Sequence, residues 1–214
     1  NFPGYNPDLK EYQKFDLDLA KSLLAESGVD PASVTIELYS NGRDVFLEFV
    51  KQQWENNLGI KVNLNLLEGG VWGEKRAAHE MMAYRGPYEY DFLDPSNMLT
   101  GLWRSVPAPE GKEEPWGSPR HAWKNEEFDR LVTEAGTEVD VEKRIKMFQD
   151  AEKILCEEVG GAFLAHQVIF QVWWPWVVGM HPDKSGNVVY RYLDIARFQM
   201  YIHKDIDEMK KQYM

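Results

Sequence analysis

Two runs of alternating apolar residues, separated by one amphipathic segment, constrain the fold of this chain more than any other feature. Val34, Ile36 and Leu38 alternate with Thr35, Glu37 and Tyr39, and Ile60, Val62, Leu64 and Leu66 repeat the pattern after Gly59. Period-two alternation puts one set of side chains on each face of a strand. Between the runs Asn41-Gly42 turns the chain, and Val45, Phe46, Phe49, Val50 and Trp54 follow at helical spacing. Strand, helix and strand with short links make a βαβ unit, which requires a parallel pair and a right-handed crossover.

The flanking sequence extends that unit. Asp16 is placed to cap a helix carrying Leu19, Ala20, Leu23 and Leu24 on one face, stopped by Gly28. Before it, residues 1–15 read as an extended lead-in with Pro3, Gly4 and Pro7. A short helix is expected around Trp72 to His79, and a third strand at Met81 to Tyr84. If the sheet is parallel, the Tyr88–Asn97 loop leaves its carboxyl edge, where open α/β sheets bind ligands. Four prolines and two glycines make 105–122 a long loop. Two helices follow, one packing Phe128, Leu131, Val132 and Ala135, the other starting near Asp140 and packing Ile145, Phe148, Ala151, Ile154 and Leu155. Ala162 to Val178 is strand-like, Tyr190 to Ile202 alternates in part, and Ile206, Met209 and Tyr213 stand at near-helical spacing in a charged tail.

Composition excludes several functions. With 214 residues and 43% hydrophobic content the chain can build a proper core, but its formal charge is -11. A phosphate backbone needs a basic face, so nucleic acid is not an expected partner, and an anionic membrane surface is disfavoured too. Val159 to Pro182 lacks charged residues and is long enough to cross a bilayer. Gly160-Gly161, Pro175, His166, Gln167 and Gln171 argue against a span, and the Val, Ile, Phe and Trp content favours buried strand. Cys156 is a single cysteine in a helical pattern, read as a small buried hydrophobe. The chain starts at Asn1 rather than Met, which points to processing or to a piece of something longer.

Catalytic and metal patterns are weak. The five histidines show no zinc-ligand spacing, and Glu68 to Lys75 lacks the spacing of a phosphate loop, with Glu74 in place of its second glycine. Asp91 and Asp94 could form a glycosidase pair, and Trp173, Trp174 and Trp176 could stack sugars. That leaves a carbohydrate-active enzyme or an oligosaccharide-binding module as the competing function. The segment Tyr88-Glu89-Tyr90-Asp91-Phe92-Leu93-Asp94-Pro95 sets acids among aromatic rings. Such a weakly polar setting favours a cationic group as partner. Asp94, directly before proline, is read as a turn acid, and Trp72 is either core or a ligand platform.

Five separated blocks carry a resemblance. Asp16 to Gly28 is similar to a helix of the form D-x-x-x-A-K-x-L-L-A-E-x-G. Gln52-Gln53-Trp54 with Leu58-Gly59-Ile60-Lys61-Val62 resembles a helix-to-strand junction. Asp91 to Leu99 resembles a D-x-x-D-P-x-N-x-L loop, Asp140 to Glu152 a D-x-x-x-R helix, and Pro175-Trp176-Val177-Val178-Gly179 a P-W-V-x-G ending. Together they resemble the carboxyl-terminal part of the family 5 extracellular solute-binding proteins, the dipeptide, oligopeptide and nickel-type receptors of ABC importers.

The resemblance implies an α/β, periplasmic-binding-protein-like lobe with a mixed or parallel sheet flanked by helices. It implies a ligand-binding lobe at 1–165, a segment at 166–203 returning towards an absent other lobe, and a tail at 204–214. The expected function is binding of peptides or similar small solutes, without catalysis and without a cofactor. The implied partners are a small-molecule or peptide ligand and the membrane permease of an ABC importer. The implied location is periplasmic or extracellular, membrane-tethered in the full-length parent. By motif position Asp91 maps to the aspartate that pairs with a peptide's α-ammonium. Tyr88 stands where family members often have Trp, Tyr90 and Trp72 are further pocket candidates, and Arg43 is near a carboxylate-binding arginine's position. The apolar 168–202 segment is also expected to make the isolated fragment self-associate, which light scattering would reveal.

Overall fold

The fold was described from a computed structural model. It describes residues 3–88, 90–114, 116–118, 120–165, 177–178, 201–202 and 205–213. The chain divides into two compact units, one of residues 1–88 and 94–163, the other of residues 89–93 and 164–214.

In the first unit, helix α1 (Leu17–Glu26) precedes strand β1 (Thr35–Ser40), helix α2 (Val45–Leu58), strand β2 (Lys61–Leu66), helix α3 (Gly69–Ala77) and strand β3 (Ala83–Tyr84). The sheet order is β2-β1-β3, and both pairings are parallel, with Thr35 opposite Lys61 and Leu38 opposite Ala83. The βαβ unit expected from the alternation is therefore present. Asp44 caps α2, accepting from the Phe46 and Leu47 N–H groups. Gly59 ends it at φ +71°, in the left-handed region that suits glycine.

The packing face of α2 differs from the expected one. Leu47 and Val50 are buried, with Trp54 and Leu58 packed alongside, whereas Val45 and Phe49 are exposed. With 3.6 residues per turn, only the 47-50-54-58 row can lie on Leu38, Ile60 and Val62. The same helix closes the edge of the sheet. Glu55 accepts the outward Val62 N–H at 3.1 Å, and Lys51 donates to the Val62 carbonyl and to Glu55. Two otherwise open backbone groups of an edge strand are thereby satisfied. Helix α1 starts at the expected Asp16 cap. Its apolar face is not buried in this chain, since Leu19 and Leu23 are exposed.

The lead-in is a correction. Pro7–Gln13 forms a 3-10 helix capped by Asn6 and buries Leu9, because proline supplies the starting φ and Asn6 accepts the Asp8 N–H. Asp94 caps a short helix α4 (Pro95–Met98), which continues as a π-turn through Leu99–Trp103. This turn went unread in the sequence, yet it delivers Leu99 and Trp103 into a second core. Helices α5 (Glu126–Ala135) and α6 (Val141–Glu157) complete that core with Phe128, Leu131, Val132, Ala135, Phe148, Ala151 and Leu155. Here the periodicity named the right residues except Ile145, which is half-buried and lies outside this core; Ile154 packs against the core and Cys156 is buried as expected. Burial pushes the Cys156 thiol up to about 11, so it stays protonated and unreactive at neutral pH.

In the second unit, strand β4 (Val177–Val178) pairs antiparallel with strand β5 (Tyr201–Ile202), and helix α7 (Ile206–Tyr213) follows. The helical tail thus agrees with its spacing. Residues 162–165 are not strand. Most of the uncharged run, its tryptophans and the segment expected to drive self-association lie outside the described residues. Among the described residues, no helix is long and apolar enough to cross a membrane, and no group of three His, Cys, Asp or Glu is placed to hold a metal ion.

Candidate functional site

Because β3 runs parallel to β1, the chain leaves Tyr84 at the carboxyl edge of the sheet and reaches Tyr88 within four residues. A ladder of aromatic rings and guanidinium groups stands on this edge. Trp72, on α3, meets the Tyr84 ring edge-on at 5.6 Å between centroids. Arg76, one helical turn after Trp72, lies over the indole at 4.5 Å. The Tyr84 hydroxyl donates to the Arg120 carbonyl. The Arg120 guanidinium in turn lies over the Tyr88 ring at 5.5 Å. Tyr88 ends the ladder by donating to the Asn97 carbonyl at 2.7 Å. Burial pushes the Tyr84 phenol up, while the charges of Arg76 and Arg120 pull it back.

Two expected site residues, Trp72 and Tyr88, are joined by this ladder. Arg43 stands elsewhere on the same edge. It lines an open cleft of about 240 Å³ beside the ends of β1 and β2, with Ser40, Asp44, Leu47, Glu48 and Leu66. Its guanidinium is 78% exposed and pairs with Glu48 at 3.3 Å. Tyr90 and Asp91 belong to the other unit, where Tyr90 is half-buried and Asp91 exposed.

Arg85 was missed in the sequence. It donates to Asp44 at 2.8 Å and covers the Phe46 ring, tying the exit of β3 to the cap of α2. Only the adjacency of β1 and β3 brings 44 and 85 together. Arg76 had a legible signal, an arginine four residues after a tryptophan on one helix. Arg120 had none, since it sits in the proline-rich loop. That loop is held down by two histidines. His79 Nε2 pairs with the Ser118 carbonyl at 2.7 Å with its ring stacked on Trp116, and His121 Nε2 pairs with the Leu102 carbonyl at 2.9 Å with its ring on Trp103.

Asp94 has the structural role its position before proline implies. It caps α4 through the Ser96 N–H and accepts two hydrogen bonds from Arg144, at 2.9 and 2.6 Å. The guanidinium holds its carboxyl down to about 2. Two of the separated motifs, D-x-x-D-P and D-x-x-x-R, are thus one ion pair in space.

The family described as "Bacterial extracellular solute-binding proteins, family 5 Middle" matches residues 1–110. The chain belongs to this family. It is 28% identical over 178 residues to "Di/tripeptide-binding protein 2" of Pseudomonas aeruginosa, covering 78% of this chain and 31% of that protein. It is 26% identical to "Probable deoxycholate-binding periplasmic protein YgiS" of Escherichia coli, over 80% of this chain and 31% of that one. The solved structure of the Escherichia coli murein tripeptide binding protein MppA superposes with a TM-score of 0.64 at 23% identity, over 95% of this chain and 38% of its own. That likeness confirms the periplasmic-binding-protein-like α/β fold. The chain spans about a third of the length of these relatives. Nothing among them supports the carbohydrate-active alternative.

Proposed function

We propose that this chain is the carboxyl-terminal ligand-binding part of an extracellular solute receptor that delivers peptides or similar small solutes to an ABC permease. The observation that carries the reading is the family match over 1–110, a stretch that includes Trp72, Tyr84, Tyr88 and the Asp91 loop. A family of binding proteins implies recognition without turnover, and aromatic faces with a few placed charges suit that task. Relatives named for di- and tripeptides support a peptide ligand; one named for deoxycholate keeps other small solutes in view. The proposed division is a binding lobe at 1–165, a returning segment at 166–203 and a tail at 204–214. Periplasmic or extracellular location, tethering of the complete receptor to the membrane and self-association of the isolated fragment belong to the same proposal.

Within this reading Asp91 receives the cationic end of the ligand, Tyr88, Tyr90 and Trp72 supply apolar faces, and Arg43 a peripheral positive charge. The test is calorimetry of the complete receptor with di- and tripeptides. Charge-assisted hydrogen bonds contribute about 1.5–3 kcal/mol, so Asp91→Ala is expected to weaken peptide binding about ten- to a hundredfold. Unchanged affinity would reduce Asp91 to a turn residue, and peptide turnover abolished by that substitution would refute the noncatalytic reading.

A further inference from the structure

The proline-rich loop 105–122 is fastened at its base by two imidazoles. Its arms pair through the Val106 N–H on the Gly117 carbonyl at 2.8 Å and the Ser118 N–H on the His121 carbonyl at 3.1 Å. At its tip the Ala108 N–H bonds to Glu114 and the Lys112 N–H to the Pro109 carbonyl, both within the loop. The second arm meets the rest of the first unit where His79 bonds to Ser118, His121 to Leu102 and Tyr84 to Arg120. That arm also carries Arg120 over the Tyr88 ring.

Both histidines bond to backbone carbonyls, so each Nε2 carries the proton and each neutral ring leaves Nδ1 bare. The Nδ1 of His121 is buried and has no hydrogen-bond partner. A second proton would put a donor and a charge there. Burial opposes that proton most, and the charges of His79 and Arg120 add to it, against the pull of the Leu102 and Trp123 carbonyls. The other charged groups on the surrounding elements offer little relief. Arg104 and Lys124 are exposed cations. On α5, Asp129 accepts the Ser105 N–H, Glu127 pairs with Arg130 and Glu126 is exposed; beyond α3, Glu80 pairs with Lys75.

The bland account makes His121 a core ring whose protonation weakens the whole unit. Two observations point instead to local opening. The ring's hydrogen bond ties the loop to the π-turn rather than one core element to another. His79, the other fastening, sits at φ +54°, where a side chain is strained, and freeing the loop releases that strain.

We propose that loop 105–122 is an acid-released clasp at the edge of the sheet: a proton on His121 parts the second arm from Leu102 and lifts Arg120 off Tyr88, loosening the hold on a bound solute. The effect on the solute rests on the solute-binding reading; the clasp does not. An open loop gives His121 an ordinary imidazole environment. Opening is therefore favoured as pH falls below about 6.5, and the effect levels off once the closed form is protonated too.

Amide hydrogen exchange of the 214-residue chain, followed by NMR at pH 7.5, 6.5 and 5.5 and corrected for the intrinsic pH dependence of exchange, tests the clasp. Protection of the Val106 and Ser118 N–H groups is expected to fall at least about threefold between pH 6.5 and 5.5, while that of Val132 and Leu155 in the α5–α6 core holds. His121→Gln keeps a donor for the Leu102 carbonyl but cannot take a proton, so it should make loop protection independent of pH. His79→Gln should retain the pH dependence. Loop and core losing protection together, a loop insensitive to pH, or a pH dependence that disappears with His79 and not with His121 would overturn the clasp. The wild-type comparison of loop with core needs no variant, so a substitution that fails to fold leaves it decisive. In the complete receptor, calorimetry with Ala-Ala is expected to show binding weaker by about threefold or more at pH 5.5 than at pH 7, with that loss absent in His121→Gln. The same loss in both would overturn the effect on the solute. No binding at either pH would refute the peptide reading and leave hydrogen exchange to decide the clasp.

Discussion

Replacing Asp94 by Asn tests how two distant motifs hold the first unit together. The side chains of Asp94 and Arg144 are 27% and 25% exposed, and the pair is two-pronged at 2.9 and 2.6 Å. The Asp94 carboxyl is lowered from 3.8 to about 2, chiefly by the Arg144 hydrogen bonds, which outweigh the opposing cost of burial, with hydrogen bonds from Ser96 and the Arg144 charge adding to them. At about 1.4 kcal/mol per pKa unit, the pair stabilises the folded state by roughly 2 kcal/mol at neutral pH. A depressed carboxylate contributes its full stabilisation above the unfolded value of about 4 and loses it as pH falls through the folded value of about 2. Asn keeps an N-cap oxygen but not the charge, so Asp94→Asn removes the pair alone. Asp94→Ala also removes the cap and should cost about 1 kcal/mol more. Urea unfolding followed by circular dichroism at pH 7 should show these two steps. Repeated between pH 5 and pH 2, the gap between wild type and Asp94→Asn should close. A gap that stays constant down to pH 2, or equal losses for Asn and Ala at pH 7, would refute the assignment.

Two further perturbations probe the loop that carries Arg120. Gly117→Ala puts a side chain at φ +87° with its Cβ 2.7 Å from the His121 carbonyl oxygen; a loss of at least about 2 kcal/mol in chemical denaturation is expected, and a neutral result would mean this turn is not formed. Burial lowers the His121 pKa from its ordinary 6.5, with His79 and Arg120 opposing protonation and the backbone bonds to Leu102 and Trp123 favouring it. The neutral ring is therefore the stabilising form, fully effective above about 6.5 and increasingly lost as pH falls below it; wild type should lose stability between pH 7 and 5 relative to His121→Gln, and parallel pH profiles would exclude this role.

Local sequence determined the elements wherever neighbours in the chain sufficed to decide them. The alternation of 34–39 and 60–66 around one helix forced a parallel pair, because a βαβ link leaves no antiparallel solution. Asp16 could be read as a cap, and Asp140 as the start of α6, because an N-cap bonds only to its own helix; the Asp44 cap of α2 went unread. The α5 and α6 core residues were legible because helical spacing names one face, and both helices bury that face.

Where a helix offered two apolar rows, sequence could not choose between them. Phe49 and Leu47 are equally apolar on α2, and only the position of the sheet decided that Leu47 is buried and Phe49 exposed. The π-turn at Leu99–Trp103 was hidden because its worth lies in the core it fills, not in its own hydrogen bonds. The site divides in the same way. Asp91, Tyr88 and Trp72 stand out in the chain because they lie in motifs or at a predicted sheet edge. Arg120 reaches Tyr88, Arg85 reaches Asp44 and Arg144 reaches Asp94 across separations of 32, 41 and 50 residues. Sequence order carries no signal for such pairs, since a charge has no preferred partner until folding sets the distance and removes the water between them.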